Sequence, residues 1–295
     1  MRAKVFVPGH ITGFFEVLRK ESLLYSGSRG CGVVIDKGVE TLVEVEESEE
    51  TKIQTFINNK EQNCRVTKFA VEELLNITAK PYKIKIYHKL GVPMMQGFGT
   101  SASGTLGAIL ALNKALKLNL TLNQCSAIAH KSEVINKTGM GDVIAEVNGG
   151  VVIRLSPGAP GIGKIDKIPF EGYVAMIIAG KPLETKKILR DETMIRRINE
   201  IGRACMNKIL KEPTVENFLR ISYFFAKKTK LMSKEIEYII EELRKKDILA
   251  SMAMLGNSIF TVAEDPDNLK ELESLGYDVI LTKINNEGIK IEPTH

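Results

Sequence analysis

Only four cysteines occur in the 295 residues, Cys31, Cys64, Cys125 and Cys205, separated by 33, 61 and 80 positions. Neither a CxxC pair nor a short cysteine framework is present, which excludes a disulfide-stapled miniprotein and points to reduced, cytoplasmic thiols. Long hydrophobic runs are also lacking. The cleanest apolar stretches, Leu106 to Leu112 and Val174 to Ala179, fall far short of the roughly 18 residues of a spanning helix. At the N-terminus, Lys4-Val5-Phe6-Val7 leads straight into Pro8-Gly9, too short for the apolar core of a secretion signal. No basic block, internal repeat or low-complexity segment occurs. Lys plus Arg number 41 and Asp plus Glu 36, a net charge of +5, so the charge suits a small anionic substrate and gives no footing to a nucleic-acid-binding arm. What remains is globular composition, 44% hydrophobic and 26% charged, at a length that suggests two domains.

Short strand-forming runs dominate the first hundred residues: Lys4 to Val7, Gly32 to Asp36, Thr41 to Glu46 and the alternating Lys83 to His88. Phe69, Val71, Leu74 and Leu75 place a short helix within Thr67 to Ile77. Leu106, Ile109, Leu110 and Leu116 fit a helix face from Ser103 to Leu118, directly after Gly97-Phe98-Gly99-Thr100-Ser101. Thr121 with Gln124 has the pattern of a capping box for a helix that Gly139 and Gly141 terminate near Asn136. A strand from Gly150 to Leu155 follows. The Pro- and Gly-dense stretch Ser156 to Gly163 then marks the expected boundary between domains 1–160 and 161–295. Beyond it we expect a buried strand at Tyr173 to Ala179, helices over Thr185 to Leu210, Val215 to Lys228 and Lys234 to Lys246, and a strand pair around Gly256-Asn257.

Gln96 to Gly104 is rich in small residues and opens a helix, the combination that lets backbone N–H groups and a helix dipole hold an anion. It matches neither the P-loop nor the dinucleotide fingerprint, and a tight strand-to-helix turn remains an equal alternative. Asp142, in Thr138-Gly139-Met140-Gly141-Asp142, is either a turn former or a catalytic carboxylate. Glu133 lies on the preceding helix with His130 one turn back. Phosphoryl transfer needs an anion loop, a hydroxyl and carboxylate for Mg²⁺, and a second carboxylate facing the acceptor alcohol, and these occur here in series. Arg154 interrupts the apolar strand Val151 to Leu155, where it requires an anionic partner, whether a structural carboxylate or a ligand. Ser26 to Gly32 is a second small-residue loop carrying Ser28 and Arg29, readable as a hairpin or as an anion clamp.

Three motifs resemble the GHMP kinase superfamily of galactokinase, homoserine kinase, mevalonate kinase and phosphomevalonate kinase: Val7 to Glu16, Gln96 to Gly104, and Leu255-Gly256-Asn257-Ser258. The resemblance implies an α+β protein with a two-lobe GHMP kinase fold, an N-terminal ribosomal protein S5 domain 2-like lobe and a C-terminal ferredoxin-like lobe. It implies ATP and Mg²⁺ as cofactors and homodimers as common. ATP would lie on Gly97, Gly99, Thr100, Ser101, Ala102, Ser103 and Gly104. Ser101 and Glu133 would hold the metal and Asp142 would act as base. For the acceptor we expect a small hydroxy acid, its carboxylate met by Arg154 and Arg29 with Ser28 and His130 as hydrogen-bonding neighbours. Three positions depart from the pattern: His10 replaces the lysine of mevalonate kinases, Thr100 replaces the first serine of the loop, and the C-terminal motif keeps one glycine, Gly256. The rival expectations are a homoserine or mevalonate kinase and a non-catalytic metabolite-binding regulator; neither nucleic acid nor membrane is expected as a partner.

Overall fold

The computed structural model describes residues 1–78, 80–181, 188 and 190–291. Its first half is built on two long antiparallel strands, β1 (Arg2–Leu18) and β2 (Gly27–Glu47). The C-terminal half of β2 pairs with β5 (Tyr82–Leu90), which is parallel to β3 (Lys52–Ile57); β4 (Lys60–Glu61) closes that edge. The N-terminal half of β2 pairs instead with β6 (Val151–Ser156), and β7 (Lys164–Ile168) adds to β6. The Pro- and Gly-dense stretch therefore joins two strands of one sheet, and the expected division at residue 160 falls inside it.

Helices α1 (Arg65–Leu75), α2 (Thr100–Ala115) and α3 (Leu122–Asn136) cover one face of this sheet. Leu106, Ile109, Leu112 and Ala129 pack on Val5, Val43 and Ile86, so the period-2 faces of the strands meet the helix faces inferred from spacing. The capping box at α3 forms, with Thr121 and Gln124 exchanging hydrogen bonds. Helix α2 starts at Thr100, three residues before the expected Ser103, because Gly99 takes the left-handed conformation at its N-cap (φ 69°).

The second half is a four-stranded antiparallel sheet of β8 (Tyr173–Ile178), β9 (Ser251–Met252), β10 (Ser258–Ala263) and β11 (Val279–Lys283), in the order β11-β8-β10-β9. It is packed with α5 (Glu192–Lys211), α6 (Val215–Thr229) and α7 (Lys234–Arg244). The start of the helix expected from Thr185 lies outside the described residues. A two-residue β12 (Lys290–Ile291) returns to pair with β1. This is the two-lobe α+β arrangement.

Two expectations need correction. Gly27 to Gly32 is not a loop but the first part of β2, each residue in register with β1 and the last three also with β6. Its glycines are required by crowding: a Cβ on Gly30 (φ 151°) would meet Phe14 O at 2.1 Å. Between α3 and β6 lies an unforeseen helix, α4 (Asp142–Asn148), only seven residues long and too short for periodicity to reveal.

The lobes are joined through β1. A bulge between Thr12 and Phe14 leaves Gly13 so close to α6 that a Cβ there would lie 2.2 Å from Ser222 Oγ. Phe225 of α6 packs between Phe14 and Phe15, ring centroids 6.4 and 5.6 Å away. All three are buried. Phe225→Ala should therefore lower stability by about 3–5 kcal/mol, to be checked by chemical denaturation.

Candidate active site

A cavity of about 430 Å³ opens against the first lobe, lined by the N-terminus of α2, the 138–142 turn, Thr12, Ser28, Arg154 and Met254. The small-residue loop forms its floor. Gly97 (φ 82°) and Gly99 (φ 69°) occupy backbone space that a side chain cannot share, since Cβ atoms there would lie 3.0 Å from Met254 O and 2.7 Å from Glu146 Oε1. Gly97, Gly99, Thr100, Ser101, Ala102 and Gly104 all line the cavity, whereas Ser103 turns inward and is fully buried. Loop backbone and helix N-terminus thus have the form of an anion cradle.

Above the floor stand two carboxylates. Ser101 Oγ donates to Glu133 Oε1 at 2.6 Å, and the other Glu133 oxygen lies, like Asp142, against Gly139. A Cβ on Gly139 would sit 2.9 Å from Glu133 Oε2 and 2.7 Å from Asp142 Oδ2, so this turn must be glycine for the two acids to share one wall. Burial pushes the Glu133 carboxyl up to about 7, the nearby Asp142 charge adding to it while Ser101 and Thr138 hydroxyls oppose it.

Asp142 differs because it has a partner. His10 Nδ1 lies 2.8 Å from Asp142 Oδ1, and Arg154 NH1 lies 3.2 Å from His10 Nε2. Arginine can only donate, so His10 accepts at Nε2 and carries its proton on Nδ1, donating to Asp142. Burial, the largest influence, would raise the Asp142 carboxyl; the His10 hydrogen bond and the Arg154 charge outweigh it and hold it below its ordinary value. Burial also lowers His10, which stays neutral. Arg154, 1% exposed, reaches Thr12 Oγ1 at 3.4 Å through NH2 and leaves Nε without a partner. The anionic partner expected of Arg154 is thus Asp142, reached through His10, and the Nε donor remains unused.

The structure brings Ser28, Arg154, Ser101, Glu133 and Asp142 around the cavity but leaves Arg29 and His130 outside its lining. Arg29 is in β2 opposite Glu16 and pairs with it at 3.3 Å. His130 Nε2 donates to Ser26 O at 2.9 Å and so ties α3 to the strand that carries Ser28. Three residues escaped the sequence argument as site members: His10, Thr12 and Glu146. Glu146 carried a signal like that of Arg154, a charge within the apolar run Val143 to Val147, and it is completely buried.

A family model described as the GHMP kinases N terminal domain matches residues 65–150. The chain is 39% identical over 263 residues to the pantoate kinase of Methanocaldococcus jannaschii, an alignment spanning 88% of this chain and 92% of that one. The chain belongs to the pantoate kinase family. Among solved structures, one described as a phosphotransferase related to the coenzyme A biosynthesis pathway is 31% identical, with a TM-score of 0.89 and 99% coverage of both chains. A homoserine kinase from Cytophaga hutchinsonii shares the fold, with a TM-score of 0.72 at 16% identity, covering 99% of this chain and 97% of the other. GHMP kinase architecture thus extends beyond the matched segment to both lobes.

The raised Glu133 carboxyl makes this family member's site a stability cost. A group protonating near 7 when folded and near 4.5 when unfolded binds more protons in the native state between those values, so stability falls as pH rises through that window. The loss amounts to about 3 kcal/mol. In chelator, denaturation midpoints should drop between pH 5 and pH 8 for the native sequence and much less for Glu133→Gln.

Proposed function

We propose that the protein transfers the γ-phosphoryl group of ATP to the primary hydroxyl of pantoate, giving 4-phosphopantoate for coenzyme A synthesis. The observation that carries this is the convergence on one cavity of the anion cradle, the Ser101–Glu133 pair and the buried chain from Asp142 through His10 to Arg154.

A buried carboxylate with a hydroxyl beside it fits a divalent cation. No group of three acidic, histidine or cysteine residues among the described residues could hold a metal unaided, which suits Mg²⁺, since that ion binds through one or two carboxylates plus substrate phosphates. Ser101 and Glu133 would hold it, and once bound it would neutralise charge on the phosphate oxygens. The cradle of residues 97–104 binds and orients the phosphates through backbone N–H groups. Asp142 accepts a hydrogen bond from the acceptor hydroxyl. A carboxylate held below its ordinary range is too weak to deprotonate an alcohol in advance, so the proton reaches Asp142 Oδ2 as the new P–O bond forms, in keeping with a loose transition state. His10 fixes the rotamer of Asp142 from behind. Arg154 Nε and Ser28 Oγ, which both face Gly141, offer donors to the substrate carboxylate.

A carboxylate-bearing acceptor explains the unused Arg154 donor better than an uncharged sugar does, and the retained constellation argues against a non-catalytic regulator. Four free cysteines, Cys31, Cys125 and Cys205 of them buried, support a reducing, cytoplasmic setting. No helix among the described residues is long and apolar enough to cross a membrane. The superfamily's tendency to pair supports a homodimer.

ADP release with ATP, Mg²⁺ and each candidate acceptor tests the reading. Pantoate should turn over, whereas homoserine and mevalonate should not; turnover of homoserine without pantoate would replace the acceptor. Asp142→Asn should reduce kcat at least 1000-fold while leaving ATP affinity within threefold, by calorimetry. Arg154→Met should raise the KM for pantoate more than tenfold with little change for ATP, and equal changes in both would make Arg154 structural.

A further inference from the structure

Glu146 sits one helical turn after Asp142 on the same face of α4, beneath the phosphate loop, with no exposed surface. Its Oε1 lies 3.0 Å from Ser103 Oγ. The same hydroxyl lies 3.0 Å from Pro8 O and 3.1 Å from Gly99 O. Serine has a single hydroxyl proton, and both carbonyls can only accept. If Glu146 were ionised and took that proton, two carbonyl oxygens would face the serine oxygen at contact distance with no proton between them. A carboxylic acid donating to Ser103 Oγ eases the conflict, because the serine proton is then free to go to one of the two carbonyls or to be shared between them. The second carboxyl oxygen, Oε2, is buried without a donor, a situation far less costly for a neutral acid than for a carboxylate.

We infer that Glu146 is a positioning residue for phosphoryl transfer: as a neutral acid it donates to Ser103 and so locks the phosphate loop to β1 and to the helix that carries Asp142. The inference rests on the phosphoryl-transfer reading above. Each element in the lock carries reacting machinery. Gly99 and Ser101 belong to the cradle, Pro8 directly precedes Gly9-His10 on β1, and Asp142 opens α4. His10 N also donates to Phe98 O at 3.1 Å, so β1 and the loop are joined at a second point beside the Ser103 contact. Burial, with the charges of Asp142 and Glu133 adding to it, pushes Glu146 well above the ordinary carboxylate range, which agrees with the proton count.

Replacement by Gln and by Leu separates the possibilities. Gln keeps a donor toward Ser103 and no charge, so Glu146→Gln should retain kcat with pantoate, and affinity for a non-hydrolysable ATP analogue, within threefold of the native protein. Glu146→Leu should lower kcat at least 30-fold and weaken analogue binding about tenfold, while the KM for pantoate stays within threefold. Ser103→Ala removes the relay while keeping the Glu146 side chain in place and should reproduce the kcat loss, which keeps the test open if the Leu variant does not fold. The inference is overturned if Gln is as impaired as Leu, if Leu matches the native protein, or if Ser103→Ala leaves kcat unchanged. Native protein that binds the analogue but turns over no pantoate would count against the acceptor assignment alone, since the analogue-binding differences among the variants would persist.

Discussion

Three carboxylic acids crowd together: Glu133 and Asp142 line the cavity, and Glu146 is buried one helical turn beyond Asp142 beneath the phosphate loop, where a low dielectric allows few of them to be charged together. That constraint organises the rest of the site. Arg154 supplies the buried cation, and it reaches only Asp142, through His10. Asp142 is therefore the acid kept ionised, Glu146 is driven neutral, and Glu133, raised to about 7, titrates between them. Similar side chains differ in role because their access to one arginine differs.

The fold follows from the need to bring these groups together from distant parts of the chain. Strand β1 provides His10 and Thr12, β6 provides Arg154, and α3 and α4 provide the acids. Strand β2 pairs with both β1 and β6, with Gly30 opposite Phe15 on one side and Arg154 on the other, which accounts for its run of small residues. A side chain at Gly32 would strike the His10 ring at 2.2 Å from Nε2. The close strand spacing that admits the His10–Arg154 contact is thus written in glycines that alone read as a flexible loop.

Much of the framework was legible in the sequence because local rules and burial agree there. The alternation in Lys83 to His88 and the capping box at Thr121 each have a mechanism confined to a few residues, and each appears in place. The small-residue loop that opens a helix and the partner that Arg154 needs in its apolar strand were legible too, and the structure brings Ser101, Glu133, Asp142 and Arg154 around one cavity. Two acceptor-side residues were not. Arg29 looked like a free fork because nothing local shows that Glu16 lies directly across the strand pair, and His130 was not seen to be turned toward Ser26. Cross-strand partners depend on register, and register between β1 and β2 changes at Pro8/Gly9 and again at Thr12/Phe14.

His10 shows how one departure from the superfamily pattern changes the electrostatics. A lysine there would set a second cation against Arg154 inside a sealed pocket, a pairing that costs several kcal/mol unless each finds its own anion. Neutral imidazole avoids this. It accepts from Arg154 on one nitrogen and donates to Asp142 from the other, so the arginine's influence reaches the base without direct contact. The guanidinium keeps Nε unengaged and lies with Ser28 against Gly141. Histidine at position 10 therefore couples Arg154 to the Asp142 carboxylate through one imidazole ring.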